Sequence, residues 1–213
     1  MEKVKNTKGR YINKTYLWKE TEKLPTIHFK NWIATISKDV DNINPSMSVN
    51  WIKWIHNMVG FTHCFTCIRL HGCWFNALKM PEQPMHERCH CSTEPIPYSQ
   101  VLAEAKAESN YSKFDPYLFD PENFYKHKKN VLFEKWGYSI DDSKWLQAEI
   151  ERQGREKYIA GDYTLGVLNH NGQRISIRVS IPRKDSGEMV SFITGWMLCP
   201  DGKIKLNTPY GGK

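Results

Sequence analysis

Long apolar runs are missing from this 213-residue sequence; its longest hydrophobic stretches are only a few residues. A membrane-spanning helix needs about 20 consecutive apolar residues, so none is expected. The first residues, Met1-Glu2-Lys3-Val4-Lys5-Asn6, also lack the apolar core of a secretory signal. There is no internal repeat and no low-complexity tract, which excludes collagen-like, coiled-coil and mostly disordered chains. What is present is 40% hydrophobic and 13% aromatic residues, with eight Trp, ten Tyr and nine Phe, enough to pack a core. Thirty Lys+Arg against 23 Asp+Glu leave a formal charge of +7, a balance that suits a polyanionic partner. At about 150 residues per domain, the length allows one large domain or two small ones.

Cysteine is sparse but clustered. Of six cysteines, four fall close together as Cys64-x2-Cys67 and Cys89-x-Cys91. Without a secretion signal, such pairs imply metal ligation in a reducing compartment rather than disulfides. Zinc takes four N/S ligands in a tetrahedron, and a Cys-x2-Cys turn offers two thiolates to one ion. His86, in His86-Glu87-Arg88-Cys89-His90-Cys91, is a further donor. The expected set is Cys64, Cys67, Cys91 and one of His86 or Cys89, with the four-thiolate set as the alternative. One structural zinc ion is implied, closing a small domain that could not otherwise build a core. Cys73 and Cys199 stand alone and are expected in the core. His63, His71 and His90 flank the cluster without being assigned as ligands.

Composition divides the chain into a polar basic arm over 1–44, a zinc-binding module over 45–100, a linker over 101–119 and a C-terminal domain over 120–213. Within the module, Trp51, Ile52, Trp54, Ile55 and Met58 have helical spacing across 46–60. Residues 101–109 are good helix formers. Asp120-Pro121-Glu122 starts a helix that should stop at Gly137, and Asp142 or Ser143 caps another with Trp145, Leu146, Ile150 and Tyr158 on its apolar side. Strands follow over 163–168, 174–181, 189–198 and 203–208, separated by Asn-Gly, Ser-Gly and Asp-Gly turns that supply positive φ. The expected fold class is α+β: a small zinc-stabilised N-terminal module, then two helices packed on a four-stranded antiparallel meander.

Strand 174–181 alternates throughout: Ile175, Ile177, Val179 and Ile181 face a core, while Arg174, Ser176, Arg178 and Ser180 line the other face. Lys184, Lys203 and Lys205 lie in or beside neighbouring strands, His170 sits in the first hairpin, and Thr208-Pro209-Tyr210 closes the last strand. Such a face could cleave RNA without a metal. The 2′-OH serves as nucleophile, so the protein supplies a base, an acid and cations for the phosphate. The same face can equally be the wet side of an antiparallel sheet, with His170 an ordinary turn residue.

Cys64-x2-Cys67, Gly72 and a Pro-containing loop into His86-x2-Cys89-x-Cys91 resemble the C-terminal signature of the phage Mu protein F-like minor head proteins, over about residues 45–100. The order of helices and meander, with Thr194-Gly195-Trp196, Pro200-Asp201-Gly202 and Leu206-x-Thr208-Pro209-Tyr210, resembles the phage-associated branch of the barnase/EndoU/colicin/RelE nuclease superfamily over about residues 120–213. Together they imply a prophage-encoded polymorphic toxin, an endoribonuclease acting on tRNA or another structured RNA by 2′-OH attack. Carried onto this chain, the family pattern selects His170, Arg174, Arg178, Thr208 and Tyr210 as catalytic. Tyr210 or His170 would handle protons, and Lys184, Lys203 and Lys205 would bind phosphate or RNA. No catalytic cofactor is implied. RNA, an immunity protein and a phage capsid or portal are the implied partners, without membrane insertion. The implied location is the bacterial cytoplasm or the virion. The alternatives are a non-catalytic phage minor head protein and a zinc-containing nucleic-acid-binding protein.

Overall fold

The computed structural model describes residues 3–5, 11–13, 50–57, 64–87, 89–120 and 129–210. The strands are β1 (Lys3–Lys5), β2 (Tyr11–Asn13), β3 (Trp51–Ile55), β4 (Trp74–Asn76), β5 (Ser92–Ile96), β6 (Lys106–Glu108), β7 (Thr164–Asn169), β8 (Gly172–Pro182), β9 (Met189–Leu198) and β10 (Lys203–Thr208). The helices are α1 (Phe65–Leu70), α2 (Tyr98–Glu104), α3 (Lys129–Lys135) and α4 (Ser143–Ile159). The class is α+β. None of the described helices is long and apolar enough to cross a membrane.

The chain divides into two units, Met1–Ser48 with Glu82–Cys89, and Val49–Pro81 with His90–Lys213. In the first, β1 and β2 pair antiparallel, and the Cys89 N–H donates to His86 O at 3.1 Å. The rest of the arm expected over 1–44 lies outside the described residues.

The second unit holds two sheets. One is three-stranded in the order β4-β3-β5, antiparallel throughout. The helix expected over 46–60 is therefore strand at Trp51–Ile55. Trp51 and Trp54, three apart, mimic a helical turn, but in the strand they point to opposite faces and both are buried. The other sheet is five-stranded, in the order β6-β10-β9-β8-β7. Its last four strands form the expected antiparallel meander within two residues of the expected bounds. The fifth, β6, is additional to that meander and runs parallel to β10. The helical sequence over 101–109 stops at Glu104 because the Lys106 N–H donates to Gly202 O and Arg155 Nε donates to Ala105 O at 2.8 Å. Tertiary pairing overrides the local propensity there.

A shared core ties the two sheets. Tyr158 on α4 meets Trp51 edge-on at 4.9 Å and donates through its hydroxyl to Trp74 O at 2.8 Å. The Tyr163 hydroxyl accepts from the Asn76 N–H at 2.9 Å. The segment expected as a linker over 101–119 falls inside this unit. Helix α4 buries Leu146, Ile150 and Tyr158 as expected, but Trp145 beside them is exposed; Gly161, with φ +69, follows its end. Helix α3 gives way at Gly137, φ +85; its expected start at Pro121 and Glu122 lies outside the described residues.

Candidate metal centre and cationic sheet face

The expected donors gather in two overlapping trios rather than in one set of four. The ligand atoms of Cys64, Cys67 and His86 all lie within 4.8 Å of one another, as do those of Cys67, Cys89 and Cys91. Two ligands on one tetrahedral zinc stand about 3.8 Å apart, from Zn–S bonds of about 2.3 Å, and donors this close could hold a metal ion. Cys67 belongs to both groups and is buried on α1. Cys64 precedes that helix. Burial works against its thiolate, but hydrogen bonds from the backbone and side chains of Cys67 and Thr66 together outweigh it and hold the thiol below its ordinary pKa. The two remaining cysteines behave differently. Burial pushes the Cys73 thiol up to about 12, and burial also raises Cys199, so both stay protonated. Cys73 is a core residue as the sequence suggested, whereas Cys199 is only half-buried.

The sheet face is defined by register. On β8, Arg174 stands opposite Met197 of β9, which stands opposite Lys205 of β10, itself beside Glu108 of β6. The next outward row runs from Thr164 on β7 through Ser176 to Gly195 and Thr208. Arg178, opposite Ile193, begins a third row. Arg174 and Arg178 are four residues apart, about 13 Å along the strand. Both arginines and Lys205 are exposed, and none of the three has an ion pair among the described residues.

Thr208 reaches this face through a bulge. Strict alternation from Leu206, which pairs with Trp196 over the core, would have kept Thr208 inward. The register shifts between Leu206 and Thr208 instead, leaving Asn207 as the extra residue and Thr208 opposite Gly195. Gly195 supplies the necessary room, since a Cβ there would stand 3.0 Å from Thr208 Cγ2. The Thr208 hydroxyl donates to Tyr210 O at 2.8 Å.

The other expected residues are dispersed. Tyr210 follows a buried Pro209 and its ring stands 6.4 Å from that of Phe192, a core residue, on the side of the sheet away from the arginines. His170 is exposed in the β7–β8 turn, at the Arg174 end of β8, and its carbonyl accepts from Arg69 Nε at 3.1 Å. Lys203 is half-buried at the start of β10. Lys184 is committed elsewhere: its ammonium donates to Asp142 Oδ1 at 2.8 Å and lies 5.9 Å over the Tyr138 ring. Partial burial works against the charged form of Asp142. The Lys184 hydrogen bond and the Ser139 N–H prevail and hold its carboxyl below the ordinary value. The sequence alone does not mark Thr164 and Gly195 as face residues, because only the strand register places them there.

Residues 102–213 match a family described as a domain of unknown function, DUF6883. The chain belongs to the DUF6883 family. No curated protein and no solved structure matches it. The DUF6883 region contains the complete five-stranded sheet and every outward cation named above, whereas the cysteine–histidine cluster precedes it.

Proposed function

We propose that the chain is a metal-independent endoribonuclease, a prophage-encoded toxin directed at tRNA or another structured RNA. The observation that carries the reading is the β10 bulge, which places Thr208 across Gly195 from Ser176, between the rows of Arg174 with Lys205 and of Arg178. Cations flanking a strip of hydroxyls fit a phosphodiester and its 2′-OH groups. Arg174, Arg178 and Lys205 hold the phosphate and offset the charge that grows on its oxygens as the 2′-OH attacks. His170 is the proton-transfer group of this reading. It takes the 2′ proton and returns one to the departing 5′ oxygen. Tyr210 is not needed, and Lys184 acts as a structural cation. An immunity protein of this toxin would be acidic where it covers the arginines.

The cysteine–histidine cluster takes one structural zinc ion, which supplies rigidity and no chemical step. The test is incubation of the full chain with tRNA in the presence of EDTA. Cleavage leaving 2′,3′-cyclic phosphate ends is expected, at least tenfold slower after Arg178→Ala or His170→Ala. Intact tRNA under protein excess rejects the reading. The cluster also favours a second reading, a non-catalytic nucleic-acid-binding or phage minor head protein; RNA or DNA retained without cleavage would select it.

A further inference from the structure

Two residues that follow β3 surround Cys91. The β3–β5 register ends with Ile55 opposite Ser92, so the next residues of the first strand run alongside the segment that carries Cys91. Asn57 Nδ2 donates to His90 O at 2.8 Å and to Ser92 Oγ at 3.0 Å, holding the chain on both sides of the cysteine. His56 Nδ1 stands 3.6 Å from Cys91 Sγ, an ordinary distance for a hydrogen bond to sulfur. The backbone N–H of His56 donates to His71 Nδ1 at 3.1 Å, which fixes the main chain from which the imidazole projects.

We propose that His56 and Asn57 are positioning residues of the metal centre, fixing Cys91 as a ligand. This rests on the metal reading of the cluster. A coordinated thiolate keeps much of its negative charge, and an N–H aimed at the sulfur both stabilises that charge and restricts where the remaining lone pairs point. His56 belongs to neither group of mutually close donors, so its role is outside the ligand set. The Asn57 bonds limit the backbone rotation that would swing Cys91 away, so less order has to be imposed when metal binds. The imidazole of His56 and both bonds of Asn57 thus converge on Cys91 and its two chain neighbours.

The test uses the full chain, with zinc affinity measured by competition against a coloured chelator and cobalt(II) as a spectroscopic probe. The wild-type chain is expected to take one metal ion. His56→Ala should lower affinity by about 10–100-fold, with the cobalt d–d envelope unchanged and thermal unfolding of the metal-free form unaltered. His56→Asn, which restores an N–H donor near the sulfur, should recover part of the loss. Asn57→Ala should weaken binding in the same direction. Failure of the wild-type chain to bind either metal removes the metal reading, and this inference with it. Wild-type binding with unchanged affinity in His56→Ala overturns this inference alone. A changed d–d envelope would make His56 a ligand, and lost metal-free stability would make it merely structural; either result also overturns it.

Discussion

Gly154 sits in the middle of α4, where glycine costs about 1 kcal/mol relative to alanine. Its reason is across the interface: a Cβ there would stand 2.6 Å from Trp196 Cζ2. The indole that claims this space is fully buried and donates through Nε1 to Thr194 Oγ1 at 2.8 Å, and that hydroxyl donates to Ile177 O at 2.9 Å. In Thr194-Gly195-Trp196, the outer two residues therefore serve the core while the middle one leaves room on the outward face. Gly154→Ala should destabilise the protein by about 1–3 kcal/mol, because overpacking against a fixed indole outweighs the better helix propensity. Urea denaturation measures this, and a variant as stable as wild type would show that Trp196 can move aside.

Elements are legible where one periodicity acts alone. The alternation in β8 and the glycine turns around it define the meander, because a half-buried antiparallel sheet writes its two faces directly into the sequence. β3 is not legible, since each of its faces buries one tryptophan and the two recur at an interval shared with a helix. Neither β6 nor the bulge in β10 has a local signal. The first is recruited by pairing with a distant strand, and the second exists only as a register between strands. The cysteine–histidine cluster is legible from spacing, but the contacts of His56 and Asn57 with the Cys91 segment are not, because they depend on which strands lie side by side.

A pair of hydrogen bonds between elements has a measurable consequence. β7 pairs with β8 only as far as Ser176, and farther along the same edge Gln153 of α4 takes a strand's place. Its Nε2 donates to Ser180 O at 2.6 Å and its Oε1 accepts from the Ser180 N–H at 2.9 Å. Gln153→Ala leaves both backbone groups without that partner and should cost about 1–3 kcal/mol. Faster hydrogen exchange at the Ser180 amide, alongside a lower denaturation midpoint, is the expected result. An unchanged exchange rate would mean that water replaces the amide without penalty.

Across the whole molecule, the +7 charge is less informative than its placement. Lysines and arginines occur along the entire chain, but many are already bound. Arg152 bridges Glu149 and Glu156, Arg183 holds Asp185, and Lys184 holds Asp142. Arg174, Arg178 and Lys205 share one outward face and have no such partner among the described residues, so they can exchange counterions for phosphates. The shared core of Trp51, Trp74, Tyr158 and Tyr163 also means that the proposed RNA binding must be tested on the full chain, since residues 120–213 alone would lose half of those packing partners. The dependence of RNA affinity on salt then separates the two kinds of cation. Removing one cation that neutralises a phosphate reduces the slope of log K against log salt by roughly 1. Arg174→Ala, Arg178→Ala and Lys205→Ala should each lower the slope by about that amount, whereas Lys184→Ala should leave it unchanged. Equal effects from all four substitutions would mean that RNA responds to net charge, and the sheet face would lose its claim to be the binding surface.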